Sequence, residues 1–453
     1  MKYVLALALI LRLLIPALGY LTAPGGPLVR EPDSPGYIRA AEELVRLGRF
    51  GRPGEPELMR TPGYPLLLAP GVWLACVERA AIGLQIGLGC LTTWLVYRLG
   101  QLTFERDDWA LAGALAYACE PLSALYCSKL LSETLFTATI AAATVFVLRF
   151  VRRGANRDWL ASASLFAAAT YVRPIAYFLP IVVALSVLLS MWSRAPSKGR
   201  LLLQASGFLC LACGLVAAWQ VRNYVEAGYP KFSAISDINL YYYQAAGVLA
   251  AERGAPLGEV QKELGYGDDE VYFRLHPAQR SWSQTRRLAF LRREAVRIIR
   301  ERPGLMLKVQ LAGVFGMLAD VGTNAYLGFF RLDDDRDRPR RLRADESSLA
   351  RLRRAFREKP LPLAFHGLLC AALLSYWAGG VAGAICGRVW RNPAARLLIG
   401  ISCYFLVLSG GPVGSHRFRL PIVPVISLLA GCGAASGLAA ARRFRSRGTG
   451  DSR

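Results

Sequence analysis

The stretch YVLALALILRLLIPALGYLT, residues 3–22, decides the fold class. It is a near-continuous apolar run of 20 residues, about the length that crosses a 30 Å hydrocarbon core as a helix. A cleaved leader is the competing reading, because Ala17-Leu18-Gly19 resembles a processing site. The n-region carries only Lys2 and the apolar stretch is long, so an uncleaved anchor is expected. Similar runs recur at about 71–97, 109–127, 130–149, 158–172, 174–192, 201–220, 362–386, 395–411 and 418–440. Residues 305–328 are apolar but interrupted by Lys308, Asp320 and Asn324. The chain of 453 residues is 54% hydrophobic, with a mean hydropathy of +0.31. No alternating barrel pattern is present, so the expected fold is an all-α integral membrane protein. Only helices or closed barrels satisfy the backbone in lipid. The count is a bundle of 11 spans if 305–328 crosses and 10 if it is re-entrant or lies at the interface, in a single polytopic domain, 1–453.

Charge sets the orientation. The net charge is +23, from 55 basic residues of which 48 are arginine. A GC-rich bacterial source and positive-inside topology account for much of this. A guanidinium also matches phosphate geometry. The basic residues are scattered over membrane-flanking loops with no accompanying motif, which excludes a nucleic-acid partner. Arg98 and Arg106, then Arg149, Arg152, Arg153 and Arg157, then Arg194, Lys198 and Arg200 mark cytoplasmic loops. The first loop, 24–68, is then outside. So is the long polar segment 222–304, whose part at about 283–302 reads as a basic helix with Leu288, Phe290, Leu291, Ala295, Ile298 and Ile299 spaced for an apolar face. It is expected to lie at the interface or to pack as an ordinary loop helix. A charged loop, 331–359, holds 11 basic and 7 acidic residues and favours a crossing at 305–328, whereas a basic tail, 441–453, favours a cytoplasmic C-terminus. Ten cysteines lie mostly in apolar segments, and Cys210 and Cys213 read as packing. His276, His366 and His416 are too dispersed to suggest zinc.

The first external loop carries the chemistry. In Glu31-Pro32-Asp33-Ser34-Pro35-Gly36-Tyr37, Asp33 or Ser34 can cap a helix that begins at Pro35 and runs to about Leu47. Asp33 is therefore either a helix cap or an acid held at the membrane edge. Arg60-Thr61-Pro62-Gly63-Tyr64-Pro65 precedes the second span and fixes the backbone tightly, with an arginine and a tyrosine beside the turn.

Four further short motifs follow in order: Ser132-Glu133-Thr134-Leu135-Phe136, Val172-Arg173-Pro174, Arg222-Asn223-Tyr224 and His416-Arg417-Phe418-Arg419-Leu420-Pro421. With Asp33-x-x-x-Tyr37 and the Arg60–Pro65 turn, this set resembles the GT-C superfamily of membrane glycosyltransferases. Within it, the set is similar to the family 39-like, polyprenyl-phosphate-sugar-dependent enzymes related to protein mannosyltransferases and aminoarabinose transferases. The adjacent Asp-Glu pair of the protein O-mannosyltransferases is absent, and Glu31 lies two residues upstream instead.

The resemblance implies an inverting transferase at the extracytoplasmic face of the bacterial inner membrane. The donor would be a polyprenyl-phosphate-linked sugar and the acceptor a lipid, glycan or protein. Asp33 matches the catalytic base. Tyr37, Arg60, Tyr64, Glu133, Arg173, Arg222, Arg417 and Arg419 are the candidate substrate-binding residues, with the arginines placed to meet a leaving phosphate. Each arginine could instead be a snorkelling membrane-edge residue. Glu133 could bind acceptor or a divalent metal, or pair with an arginine, and no ligand cluster demands a cofactor. A transporter or flippase of lipid-linked intermediates is the alternative, although no inverted repeat supports it.

Overall fold

The computed structural model describes residues 1–23, 25–193, 195–332 and 360–448. Most of the charged loop 331–359, the last five residues of the tail, and Arg194 lie outside the described residues. Among the described residues the protein is helical apart from one two-stranded ribbon, β1 (Gly51–Arg52) against β2 (Glu55–Pro56). Its first helices are α1 (Lys2–Thr22), α2 (Ser34–Leu47), α3 (Gly63–Trp73) and α4 (Val77–Phe104). Next come α5 (Asp107–Ala118), α6 (Pro121–Tyr126), α7 (Glu133–Arg153), α8 (Asn156–Val172), α9 (Leu179–Met191) and α10 (Lys198–Ala227). Short helices α11 (Ile235–Asn239), α12 (Ala246–Arg253), α13 (Leu257–Glu263) and α14 (Asp269–Leu275) lead to α15 (Gln284–Glu301). The chain then forms α16 (Pro303–Ala319), α17 (Thr323–Phe329), α18 (Pro360–Cys386), α19 (Pro393–Ser409), α20 (His416–Arg419) and α21 (Val423–Gly448).

Among the described residues seven helices are long and apolar enough to cross a membrane, or eight if α16 and α17 count as one. The expected count was 10–11, and the difference lies in three of the runs. The runs at 109–127, 158–172 and 395–411 fold as helices of 12, 17 and 17 residues. At 1.5 Å per residue, 12 residues reach only about 18 Å. Pro121 ends the first of these runs, because the residue before a proline is driven to extended backbone: Glu120 has ψ 118°. The buried Arg12 of α1 takes up the freed end, donating to Ala118 O at 3.3 Å. The run expected at 71–97 is likewise broken, at Leu74–Cys76, where Ala75 has φ +52°. The segment 305–328 is neither a straight span nor a surface helix. It bends by 61° between α16 and α17, at Gly322, whose φ of +74° suits glycine.

The main core runs through the bundle and includes Tyr64, Leu68, Phe136, Phe166, Phe208 and Leu428. A second core lies in the segment after α10, where Tyr229, Tyr241, Tyr242, Val248, Val260 and Tyr272 pack on Leu288, Leu291, Ala295 and Ile298 of α15. The apolar stripe of α15 is thus covered by protein, not lipid. Its arginines Arg292, Arg293, Arg297 and Arg300 line an open groove on the outside.

Candidate active site

The helix expected at Pro35–Leu47 is α2, one residue longer at its start and closed by Gly48 in the left-handed region. Asp33 occupies its N-cap position, yet its side chain makes no capping hydrogen bond. Ser34 anchors the turn instead: its hydroxyl accepts from Glu31 N at 2.8 Å and donates to Leu130 O at 2.7 Å. The Asp33 carboxylate is left to face two guanidiniums. Oδ1 accepts from Arg60 Nη2 at 3.0 Å and Oδ2 from Arg417 Nη2 at 2.8 Å. Burial alone would raise this carboxyl; Arg417 and Arg60 outweigh it and hold it below the ordinary aspartate range.

Arg60 reaches Asp33 because Gly36 has no side chain. A Cβ there would sit 2.9 Å from Arg60 Nε. The guanidinium also lies 4.7 Å from the centre of the Tyr37 ring. Tyr37 packs edge-on against Tyr64 at 4.9 Å. Tyr64 is fully buried and donates to Gln85 Oε1 at 2.8 Å. Gly63 presses on the backbone of Tyr171 and Val172, where an added Cβ would lie 2.8 Å away, and Thr61 donates to Val172 O at 3.2 Å. The first-loop turn is thereby joined to the turn carrying Arg173. Pro174 keeps Arg173 extended, at φ −144° and ψ 122°, and so ends α8 there.

Glu133 begins α7, where a helix N-terminus favours negative charge. Its side chain is 1% exposed, against 33% for Asp33. Asp33 is therefore the acid open to its surroundings, while Glu133 stays inside. Glu133 Oε1 accepts from Arg173 Nη1 at 2.5 Å and from Arg417 Nε. Arg417 thus bridges the two acids, Asp33 with one nitrogen and Glu133 with another.

Two arginines of the candidate set do not join this cluster. Arg419 is buried and donates to Met317 O, Leu318 O and Asp320 O at 2.8, 3.1 and 3.0 Å, capping the end of α16. Arg222 donates to Glu57 O at 3.0 Å and to Phe50 O, tying α10 to the first loop. Arg419 is committed to backbone carbonyls, whereas Arg222 also donates to Asn223 Oδ1 at 3.1 Å and stands 3.6 Å from Glu226 Oε2. Replacing Arg419 by Met is expected to lower stability by about 2–3 kcal/mol, the cost of orphaned buried carbonyls. The donor KM should stay within twofold. Thermal melting in detergent beside donor titration checks this, and a donor KM raised tenfold would return Arg419 to the binding residues.

Several neighbours were not singled out from sequence. Lys129, 4% exposed, pairs with Glu31 and stands 5.7 Å from the Tyr126 ring. Tyr126 OH and His416 Nε2 are 3.1 Å apart. His416 Nδ1 meets Asp320 Oδ2 at 2.6 Å, and His416 N donates to the same oxygen at 3.2 Å. In the short helix α20, His416 and Arg419 moor to the end of α16, and Arg417 between them reaches the acids. The interruption at Asp320 in an apolar run was the available signal.

Four cations, Arg60, Arg173, Arg417 and Lys129, thus pair with three carboxylates, Glu31, Asp33 and Glu133. The acids do not form a metal cradle. Among the described residues no group of three His, Cys, Asp or Glu side chains could hold a cation, and one placed between Asp33 and Glu133 would have to displace Arg417. Turnover is expected to change by less than about twofold after chelation with EDTA, a difference under 0.5 kcal/mol in barrier. A metal-dependent rescue would overturn this.

Residues 60–219 match the family model for dolichyl-phosphate-mannose-protein mannosyltransferase. No curated protein matches the sequence. The fold is similar to that of the archaeal oligosaccharyltransferase AglB from Archaeoglobus fulgidus in complex with an inhibitory peptide and a dolichol-phosphate. The TM-score is 0.55 at 11% identity, covering 99% of this chain and 51% of that one. The apo form of the A. fulgidus oligosaccharyltransferase aligns at TM-score 0.54 and 11% identity, covering 99% and 52%. The chain thus spans about half the length of these proteins. ArnT from Cupriavidus metallidurans bound to undecaprenyl phosphate aligns more loosely, at TM-score 0.40 and 15% identity over 96% of this chain and 77% of that one. The fold is shared with the oligosaccharyltransferase over 99% of this chain, in line with the multi-span helical bundle that the motifs implied.

Proposed function

We propose that this chain is an inverting glycosyltransferase. It moves a sugar from a polyprenyl-phosphate donor to an acceptor hydroxyl or amine at the extracytoplasmic face of a bacterial inner membrane. One observation carries the reading: a one-third-exposed carboxylate, Asp33, shares Arg417 with a buried carboxylate, Glu133. The AglB complex with dolichol-phosphate, on the same fold, supports the donor class.

The chemistry follows from the charges. The acceptor oxygen attacks the anomeric carbon from the face opposite the phosphate. Its proton goes to Asp33, and the electron pair of the breaking carbon–oxygen bond goes to the phosphate oxygen. Asp33 is ionised at neutral pH, since its arginines depress its pKa. Arg417 and Arg173 are placed to meet the developing negative charge, the cation arrangement this step requires. Glu133 orients both by accepting from each through one oxygen.

The test is incubation of purified protein with a panel of polyprenyl-phosphate sugars, with release of polyprenyl phosphate as the readout. Release from at least one donor is expected. No release from any donor, with lipid-linked sugar instead moving between the leaflets of a reconstituted vesicle, would establish the flippase reading.

A further inference from the structure

The turn Leu240–Ala245 in the segment after α10 is a π-helix, a form that is rare and recurs at functional sites. It carries three consecutive tyrosines. Tyr241 and Tyr242 are buried in the second core, while Tyr243 is half-buried at its edge. Tyr243 OH lies 2.8 Å from the hydroxyl of Tyr266, and the two rings meet edge-on with centroids 5.5 Å apart.

Tyr266 is presented by its flanks. Gly265 and Gly267 have φ of +82° and +78°, and a Cβ on Gly265 would lie 2.6 Å from Tyr272 N. Only glycine allows that turn. The result is a large aromatic side chain left 39% exposed.

The π-turn that carries Tyr243 packs on the chain segment leading to Arg417. Gln244 donates to Gly410 O at 3.4 Å, and a Cβ on Gly247 would lie 2.7 Å from Pro412 Cβ. The π-turn is therefore pressed onto the segment that runs into Arg417. The Tyr243 phenol is pushed up first by burial and then by its bond to Tyr266, with Asp33 and Arg417 near enough for both charges to act on it.

We propose that Tyr243 and Tyr266 form an acceptor subsite for a carbohydrate ring, so that the acceptor nucleophile is a sugar hydroxyl. This rests on the transferase reading above and deepens it. The two phenols carry no charge, so they do not compete with the guanidiniums for phosphate. A rigid aromatic body with a polar tip suits a ring with an apolar C–H face and hydroxyls around its rim. Joined to each other, the two hydroxyls retain one donor proton and further acceptor lone pairs for a ligand.

The test uses the full chain in detergent, the donor identified by the panel above, and a set of soluble di- and trisaccharides as acceptors. Tyr266→Ala is expected to raise the acceptor KM about tenfold, with the donor KM within twofold. Tyr243→Phe keeps the ring and loses one hydroxyl, and should raise the acceptor KM about threefold. Tyr266→Phe is the milder variant should the alanine variant lose its cooperative melting transition. An unchanged acceptor KM would overturn the subsite, and so would a donor KM that rises in step with it. Donor turnover in the wild type with transfer to no saccharide would sink this proposal and leave the transferase reading standing. No release from any donor would sink the transferase reading itself.

Discussion

Asp33→Asn is expected to leave a correctly inserted protein that has lost the proposed sugar transfer. The amide keeps the side chain's size and one accepting oxygen, but it cannot take the acceptor's proton. A positioned base is worth about 10²–10⁴ in rate, so kcat should fall by at least a hundredfold. The amide nitrogen would also face a guanidinium, donor against donor, where the carboxylate now accepts from Arg60 and Arg417. Time courses of polyprenyl phosphate release at saturating donor, beside the yield of protein in the membrane fraction, measure both effects. Normal turnover would end the catalytic assignment. The pH profile carries the same information. The pKa of Asp33 is depressed in the folded protein, so its carboxylate persists below the ordinary value of about 3.9. Its contribution to stability is present above that value and is lost as pH falls through the lower folded one. Rate should therefore stay flat from pH 7 to pH 5 as far as Asp33 is concerned. An acid limb near pH 6 that disappears in Asp33→Asn would contradict the depressed pKa.

Arg417→Ala is the second large effect, because one side chain serves two acids. In the proposed reaction its loss removes the cation that meets the leaving phosphate, and losing one such donor costs about 10²–10³ in kcat. It also strips Glu133, 1% exposed, of one of its two partners. Breaking a buried pair typically costs about 3–5 kcal/mol. Arg173 remains on the same oxygen, so the lower end is expected. Pairing Arg417→Met with Glu133→Gln removes the uncompensated charge. That double variant should regain most of the stability and none of the turnover, separating the two roles of Arg417 in one comparison of melting temperature and kcat. Turnover that returns with stability would reduce Arg417 to a structural tie.

How much of this was legible in the chain depends on how far apart the partners lie. The helix Ser34–Leu47 was readable because its punctuation is local: Asp33, Ser34, Pro35 and Gly48. The kink at Arg173 was readable because Pro174 dictates it. The membrane class followed from apolar run length. The fate of each arginine was not readable, since a guanidinium at a span end looks the same whether it meets a carboxylate or a carbonyl. Arg417 and Arg419 stand two residues apart in one short helix. One bridges Asp33 and Glu133; the other caps α16. Their separation arises from the turn of that helix and from contacts about 100 and 384 residues away. The pair Asp320–His416 is hidden for the same reason. Composition shows how many residues are apolar but not where a run breaks: the long helix of the run at 71–97 starts only at Val77, and the run at 109–127 is cut at Cys119–Glu120.

Chain order gives the shared arginine a meaning in time. Glu133 enters the membrane long before Arg417 exists, since 284 residues separate them. At about 5–20 residues per second, that is a wait of roughly 15–60 s. Arg173 emerges 40 residues after Glu133, so within a few seconds the buried acid has a first partner. Asp33 likewise has Arg60 only 27 residues behind it. Each acid is thus escorted by an early arginine from its own neighbourhood and later shares a second one from the far end of the chain. The cluster closes only when the last span arrives, and a ribosome-bound or prematurely ended chain holds both acids without the cation that joins them.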